Sequence, residues 1–257
     1  MNLTELTPIE KVGNVYLKRE DKFEFAGCNG SKVRGALYII KKAIDLGYKD
    51  FVSVGSRFSP QCEIISNICE FLNLKCYLFM PNSYKDTSII KNIKNNKNTT
   101  LVRDLKQGAY TNVLITRAKK FAAENNYYFI NFGMELPETI DIIGEQVQNI
   151  PDNINRIIIP VGSGMNFCAV ANGLLRYNKT NIKIIGISVG KDPMNTIYKY
   201  LPMFNFMNHQ IIKSEYKYDR GVKADINGII LDPIYEAKCI EFLEDNDLFW
   251  IVGKRKL

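Results

Sequence analysis

The stretch Ile157-Ile158-Ile159-Pro160-Val161-Gly162-Ser163-Gly164-Met165-Asn166 restricts the fold more than any other part of the chain. An unbroken apolar run of this length reads as a buried strand. The glycines then turn the chain sharply. Small and apolar residues at helical spacing follow over 167–177, where Ala169, Ala171 and Gly173 permit close packing. A strand, a Gly-Ser-Gly turn and a helix together make an anion site. Backbone N–H groups converge at the helix start, and the helix dipole favours negative charge there. Glycine lets the backbone approach a phosphate, and Ser163 adds a hydroxyl donor. An ordinary strand-to-helix turn has the same pattern. No Lys-Ser/Thr pair follows and the third glycine of a dinucleotide fingerprint is missing, so neither standard nucleotide loop is present.

The rest of the chain repeats the alternation. Strands are predicted at 14–18, 51–54, 75–80, 127–130, 183–188 and 248–252. Helices are predicted at 32–46, 60–72, 84–94, 109–125, 136–150, 192–200 and 233–245. Segments 19–31 and 94–100 read as loops, and 201–227 as irregular and Tyr-rich. Strands alternating with helices give an α/β protein of mostly parallel sheets with helices on both faces. Ligands of such sheets bind at the carboxyl ends of strands, here the loops 27–34, 54–61 and 160–166. Soft boundaries near 47–50 and 126–131 suggest a large domain of 1–47 plus 126–257 and a small one of 48–125.

Composition excludes several chemistries. The chain has 257 residues, six cysteines and a single histidine, His209. With no CxxC pair, no metal site is expected, and neither a Cys-His nucleophile nor a Ser-His triad fits. No apolar run approaches a membrane span, and the N-terminus lacks the regions of a signal peptide, so the cytoplasm is the expected compartment. The net charge of +7 permits attraction to polyanions such as nucleic acid. The lysines are scattered, however, with one dense cluster at Lys254-Arg255-Lys256. Asn and Ile are frequent too, so coding bias could explain much of the Lys excess.

Lys32 lies in Gly27-Cys28-Asn29-Gly30-Ser31-Lys32-Val33-Arg34, at the first turn of a predicted helix. The dipole there disfavours the ammonium form, and a lysine with a lowered pKa forms Schiff bases readily. A solvated surface lysine is the plainer alternative. The phosphate cradle shifts the balance, because a phosphate and an aldehyde are what pyridoxal 5′-phosphate presents.

Four stretches, in order and spanning nearly the whole chain, resemble the fold-type II pyridoxal-phosphate enzymes, in particular the 1-aminocyclopropane-1-carboxylate deaminase / D-cysteine desulfhydrase family. Val15-Tyr16-Leu17-Lys18-Arg19-Glu20-Asp21 looks like the opening segment of that family. Asn29-Gly30-Ser31-Lys32-Val33-Arg34 is similar to its Asn-Lys-x-Arg motif, Val161-Gly162-Ser163-Gly164 to its phosphate loop, and Leu231-Asp232-Pro233-Ile234-Tyr235-Glu236-Ala237-Lys238 to its C-terminal segment. The resemblance implies two open twisted sheets with the cofactor between domains. It implies that Lys32 holds pyridoxal phosphate and that Gly162, Ser163, Gly164, Met165 and Asn166 bind its phosphate. Glu236 would sit at the pyridine nitrogen and keep it protonated, while Tyr235 and Ser59 could assist proton transfer. Asp232-Pro233 would cap the last helix in either case. A homodimer is the expected assembly.

The second loop departs from the family. Where the family reads Ser-Asn-His, this chain has Ser59-Pro60-Gln61, and proline offers neither the amide side chain nor an N–H. Substrate contact by Ser59 and Gln61 is therefore altered, and Arg57 could clamp a carboxylate instead. Three functions are consistent with this sequence. One is a Cα-carbanion reaction, deamination or elimination, on a free amino acid. Another is a reaction such as decarboxylation on an amino-acid group attached to a polyanion, for example hypermodified phage DNA. The third is a non-catalytic pyridoxal-phosphate binder.

Overall fold

The structure is a computed structural model that describes residues 1–82, 85–103 and 111–255. Tyr84 and Ala109, the first residues of two predicted helices, and Lys256 of the C-terminal basic cluster lie outside the described residues. In chain order the strands and helices are β1 (Ile9–Val12), β2 (Val15–Arg19), β3 (Glu24–Phe25), β4 (Cys28–Asn29), α1 (Ser31–Asp45), β5 (Asp50–Val54), α2 (Pro60–Phe71), β6 (Lys75–Phe79), α3 (Ser88–Lys94), β7 (Thr99–Val102) and α4 (Thr111–Asn125). They continue as β8 (Tyr128–Ile130), α5 (Pro137–Gly144), β9 (Arg156–Val161), α6 (Met165–Arg176), β10 (Lys183–Ser188), α7 (Met194–Tyr200), β11 (Gln210–Lys213), β12 (Asp225–Ile226), β13 (Ile229–Ile230) and β14 (Leu248–Ile251). The chain divides into two compact units. The first comprises Met1–Phe23, Asn29–Arg34 and Leu136–Lys254, and the second Glu24–Cys28, Gly35–Glu135 and Arg255–Leu257.

The first unit is built on a six-stranded sheet of order β1-β2-β14-β9-β10-β11. Only β1 runs antiparallel to its neighbour. The inner strands are covered on both faces, which is why their sequences are continuously apolar rather than alternating. Successive residues serve opposite cores. Ile157, Ile159, Leu248 and Trp250 join a cluster with Phe167, Ala171 and Leu174 of α6. Ile158, Phe249 and Ile251 join another with Leu231, Ala237 and Cys239. Complete burial of each isoleucine contributes about 1.5–3 kcal/mol.

Helices α5 and α6 approach closely through two glycines. A Cβ on Gly173 would lie 2.4 Å from the carbonyl oxygen of Gly144. Gly173→Ala is therefore expected to destabilise the protein by about 1–3 kcal/mol, the usual range for overpacking. A denaturant midpoint equal to the wild type's would contradict this packing account.

The second unit holds a four-stranded parallel sheet of order β7-β6-β5-β8. Val52, Val54 and Phe79 pack against Leu114, Ala118 and Ala122 of α4. Ser53 points to the opposite face, where its hydroxyl accepts from Gln61 of α2.

Several segments differ from the sequence reading. Residues 201–227 are not wholly irregular, because Gln210–Lys213 is the sixth strand of the first sheet, paired in parallel with β10. Thr99–Val102 forms an edge strand where 94–100 was expected to be loop. Ile9–Val12 adds a further edge strand. All three are short and only partly buried, so their apolar content carries little periodic signal, and pairing with a neighbour decides their state. The helix expected over 136–150 is α-helical only to Gly144 and then tightens into a 3-10 turn, Glu145–Val147. The helix expected over 233–245 is a 3-10 segment, Glu236–Phe242. Glu236, Ala237, Lys238 and Cys239 are all buried. The helical pattern of 233–245 is thus overridden by the tertiary packing around this buried segment. No helix of the described residues is long and apolar enough to cross a membrane.

Candidate active site

Five segments of the first unit meet at the carboxyl ends of β9 and β14. After β9, Gly162-Ser163-Gly164 turns the chain into α6. Gly164 adopts a φ of 95°, a left-handed conformation that side-chain-bearing residues rarely take, and it forms the N-cap of the helix. The first N–H groups of α6 have no intrahelical acceptor, as at any helix start. Gly162 lies under the ring of Tyr235, and a Cβ there would come within 3.1 Å of Cε1. Tyr235 in turn places its hydroxyl 3.2 Å from that of Tyr218.

The start of α1 joins this group through the segment after β14. The N–H of Ser31 donates to the carbonyl of Val252 at 2.9 Å, and its hydroxyl donates to the same oxygen at 3.1 Å. Gly30 is required there, because a Cβ would stand 2.3 Å from that oxygen. The N–H of Lys254 donates to Oδ1 of Asn29 at 2.6 Å. Asn166 of α6 donates to the Ser31 hydroxyl at 3.4 Å. Lys32, half-buried in the first turn of α1, is thereby held next to a residue that bonds both the phosphate-loop helix and the β14 exit.

Glu236 is fully buried. Its Oε1 accepts from the N–H groups of Val252 at 2.9 Å and Gly253 at 3.3 Å. Its Oε2 is buried and meets no hydrogen-bond partner. Burial, reinforced by the charge of Asp232, raises its pKa well above the ordinary carboxylate range. Asp232 accepts from the N–H groups of Ile234 and Tyr235 through Oδ1, the capping expected from Asp-Pro.

Two braces escaped the sequence reading. Arg34, two residues after Lys32, is buried and pairs with Glu20 at 3.0 Å. It also donates to the carbonyl of Leu3 at 2.7 Å and lies 3.7 Å above the ring of Phe23. Thr7 donates to Glu20 in the same network. Lys18, lowered to about 7 by burial, donates to the carbonyl of Thr7 and to Asn149. The stretches that contain Lys18, Glu20 and Arg34 stood out in the sequence, but their pairing spans 14 positions and has no local signature. The second brace is Lys238, buried and donating to the carbonyls of Lys217 and Tyr218, which fixes Tyr218 beside Tyr235. The C-terminal segment that ends at Lys238 and the Tyr-rich stretch both stood out in the sequence, but not their contact.

The remaining candidates, Arg57, Ser59 and Gln61, belong to the second unit. Ser59 is the N-cap of α2, with Pro60 at the first helical position, and its Oγ accepts from the Gln61 N–H at 3.4 Å. Gln61 is buried. Its amide nitrogen donates to Ser53 and to the carbonyl of Asn131, and its Oε1 accepts from the N–H of Gly133. Its side chain thus braces the ends of β5 and β8. The Arg57 guanidinium lies 4.8 Å from the Phe58 ring, and its carbonyl accepts from Thr87. Among the described residues no group of three or more His, Cys, Asp or Glu could hold a metal.

The chain is 27% identical over 213 residues to an O-seryl-dTMP PLP-dependent decarboxylase of Salmonella phage ViI, covering 70% of this chain and 50% of that protein. It is 22% identical over 274 residues to a probable 1-aminocyclopropane-1-carboxylate deaminase of Schizosaccharomyces pombe, covering 89% and 80%. The crystal structure of an ACC deaminase homologue superposes with a TM-score of 0.83 at 20% identity, over 98% of this chain and 90% of that one. The chain therefore shares the fold-type II architecture. Residues 2–214 match the family described as "Pyridoxal-phosphate dependent enzyme", and the chain belongs to that family.

Proposed function

We propose that this chain is a pyridoxal-phosphate-dependent lyase that breaks a bond at the α-carbon of an amino-acid group. The observation that carries the reading is Glu236, a buried carboxyl of raised pKa with an unpartnered Oε2, held in the same unit as Lys32 and the Gly162–Gly164 cradle. These residues fit the cofactor. Position 162 must lack a Cβ for the turn to sit beneath the Tyr235 ring with its backbone N–H groups bare, and the buried Oε2 of Glu236 has no partner within the chain. When bound, the cofactor supplies an aldehyde that captures amino groups and a ring that takes up electrons from Cα. The N–H groups from Gly162 to Asn166 bind the phosphate dianion, with the dipole of α6 behind them. Lys32 Nζ would hold the cofactor and is the group placed to move the proton at Cα. Glu236 would supply a proton through Oε2 to the ring nitrogen, while its Oε1 stays anchored to Val252 and Gly253. Tyr235 covers the cradle, and its hydroxyl, paired with Tyr218, is available for proton transfer. Ser59 is the corresponding hydroxyl of the second unit. Borohydride reduction followed by peptide mapping tests the reading, with a pyridoxyl adduct expected on Lys32.

A second reading is favoured by the first turn of α2. Pro60 has no N–H, Ser59 takes that of Gln61, and the Gln61 amide is spent internally. The turn therefore offers few donors to clamp a substrate carboxylate, leaving Arg57 as its main cation. A carboxylate held loosely is suited to leaving as CO2, the chemistry named for the phage relative. In that case Cα–CO2 breaks, and Lys32 Nζ returns a proton to Cα. Release of ammonia and a 2-oxo acid from 1-aminocyclopropane-1-carboxylate, or of these and sulfide from D-cysteine, supports the first reading. Release of CO2 from a serine joined through its side-chain oxygen to a thymidine nucleotide, its carboxylate free, supports the second. A soluble cytoplasmic homodimer is the assembly we propose for either.

A further inference from the structure

The charge of this protein is divided unequally between its two units. The first unit contains eighteen Lys and Arg and eighteen Asp and Glu, so its formal charge is zero. The segments Glu24–Cys28 and Gly35–Glu135 contain fourteen basic and nine acidic residues, an excess of five, and Arg255 and Lys256 supply the remaining two. A uniform lysine bias would raise both units. The excess peaks around α3. Between positions 85 and 103 stand Lys85, Lys91, Lys94, Lys97 and Arg103, with Asp86 as the single acidic residue.

Local structure turns this run into a ridge. Ile89, Ile90 and Ile93 of α3 are buried, which directs Lys91 and Lys94 outward, and Lys97 is exposed just beyond the helix. Asp86 is shared between Lys94 and Arg103 at 2.5 and 2.8 Å, so one carboxylate answers two cations. Two carboxylates of α2 reach this region and are tied to neutral donors rather than to the lysines: Glu63 accepts from Asn92, and Glu70 from the N–H of Asn98. Like charges three positions apart on one helix face cost about 0.2–0.5 kcal/mol. Folding gains nothing from that repulsion, and a bound polyanion removes it.

We propose that this α3 ridge of the second unit is a docking surface for the phosphates of DNA, with Lys91, Lys94 and Lys97 as its principal contacts. The proposal rests on the reading in which the reacting amino-acid group is carried on a polyanion. It supplies that reading with a binding surface formed by this chain.

The experiment is fluorescence anisotropy of labelled single-stranded and duplex DNA against the cofactor-loaded protein at several salt concentrations. Four to five phosphate contacts predict that log K falls with log salt with a slope of about −3 for single strands and about −4 for duplex. The double variant Lys91→Glu with Lys97→Glu is expected to bind at least tenfold more weakly, with a slope shallower by about 2. Lys191→Glu with Lys199→Glu imposes the same charge change on the first unit and is expected to alter binding less than threefold. Should the charge-reversed ridge variant fold poorly, Lys91→Gln with Lys97→Gln takes its place. Equal losses in both double variants, absence of salt-dependent binding, or equal affinity for polyglutamate would overturn the proposal. Cofactor absorbance of the same samples separates the two ideas. Loss of DNA binding only in the ridge variants, with that absorbance intact, supports the docking surface. A wild type that keeps its absorbance but never binds DNA removes the surface alone, whereas a colourless protein that binds DNA removes only the reading on which it rests.

Discussion

Lys32→Ala is expected to yield a folded protein that carries no borohydride-stable pyridoxyl adduct, with turnover lowered by at least about 10²–10⁴-fold, the range for loss of a positioned acid–base group. The loss has two parts. Lys32 Nζ holds the cofactor, and it moves the Cα proton. Fold and stability should be spared, because Lys32 is only half-buried and the start of α1 is fixed by Gly30, Ser31 and Arg34. Arg34 meets Glu20, Leu3 and Phe23 whatever stands at position 32. Wild-type protein should be yellow, and its adduct should map to the peptide containing Lys32. An adduct on a different lysine in wild type, or one retained at full yield in Lys32→Ala, would remove this residue from the chemistry.

Glu236→Gln is expected to keep the fold and the cofactor while lowering turnover by about 10²-fold or more, because a neutral amide cannot lend a proton to the ring nitrogen. The amide oxygen can still accept from Val252 and Gly253. Glu236→Ala differs, since it strands two buried N–H groups at a cost of about 1–3 kcal/mol each. The pH dependence of the cofactor-free protein offers an independent check. The folded-state pKa of Glu236 is raised above its unfolded value by burial and by Asp232. The folded state therefore holds a proton that the unfolded chain releases. This stabilising contribution is fully present below the unfolded pKa and is lost as pH rises through the raised one, by at most about 1.4 kcal/mol per pH unit. Glu236→Gln should flatten that decline, so the variant gains stability relative to wild type as pH increases. Parallel stability curves for the two proteins would show that Glu236 is ionised in the fold.

Much of the architecture is legible in the sequence because burial on two faces leaves a strong mark. Apolar residues at successive positions, as at 157–159, suit only a strand covered on both sides, and Gly162 and Gly164 mark the turn that such a strand needs before a helix. Lys32 is legible for a similar reason, since its position follows from the first turn of α1. The edge strands are not: β7 and β11 are only partly buried, and their state depends on the neighbour they pair with.

Chemistry that arises from distant pairing is likewise hidden. By its local pattern Glu236 is an ordinary residue at the start of a helix, and only the family resemblance gives it a role at a pyridine nitrogen. Only the folded chain buries it, ties Oε1 to residues 252 and 253 and leaves Oε2 without a partner. Gln61 reads as a substrate contact, yet its amide is satisfied by Ser53, Asn131 and Gly133. The total charge of +7 is a property of composition, whereas its confinement to one unit depends on which segments fold together. The sequence by itself determined the alternating α/β pattern, the phosphate turn and the lysine at a helix start, because each follows from the local preferences of neighbouring residues. Tertiary structure alone decided the ionisation of Glu236, the Arg34–Glu20 brace and the basic ridge of α3. Each of these depends on the burial and electric field produced when residues far apart in the chain are brought together.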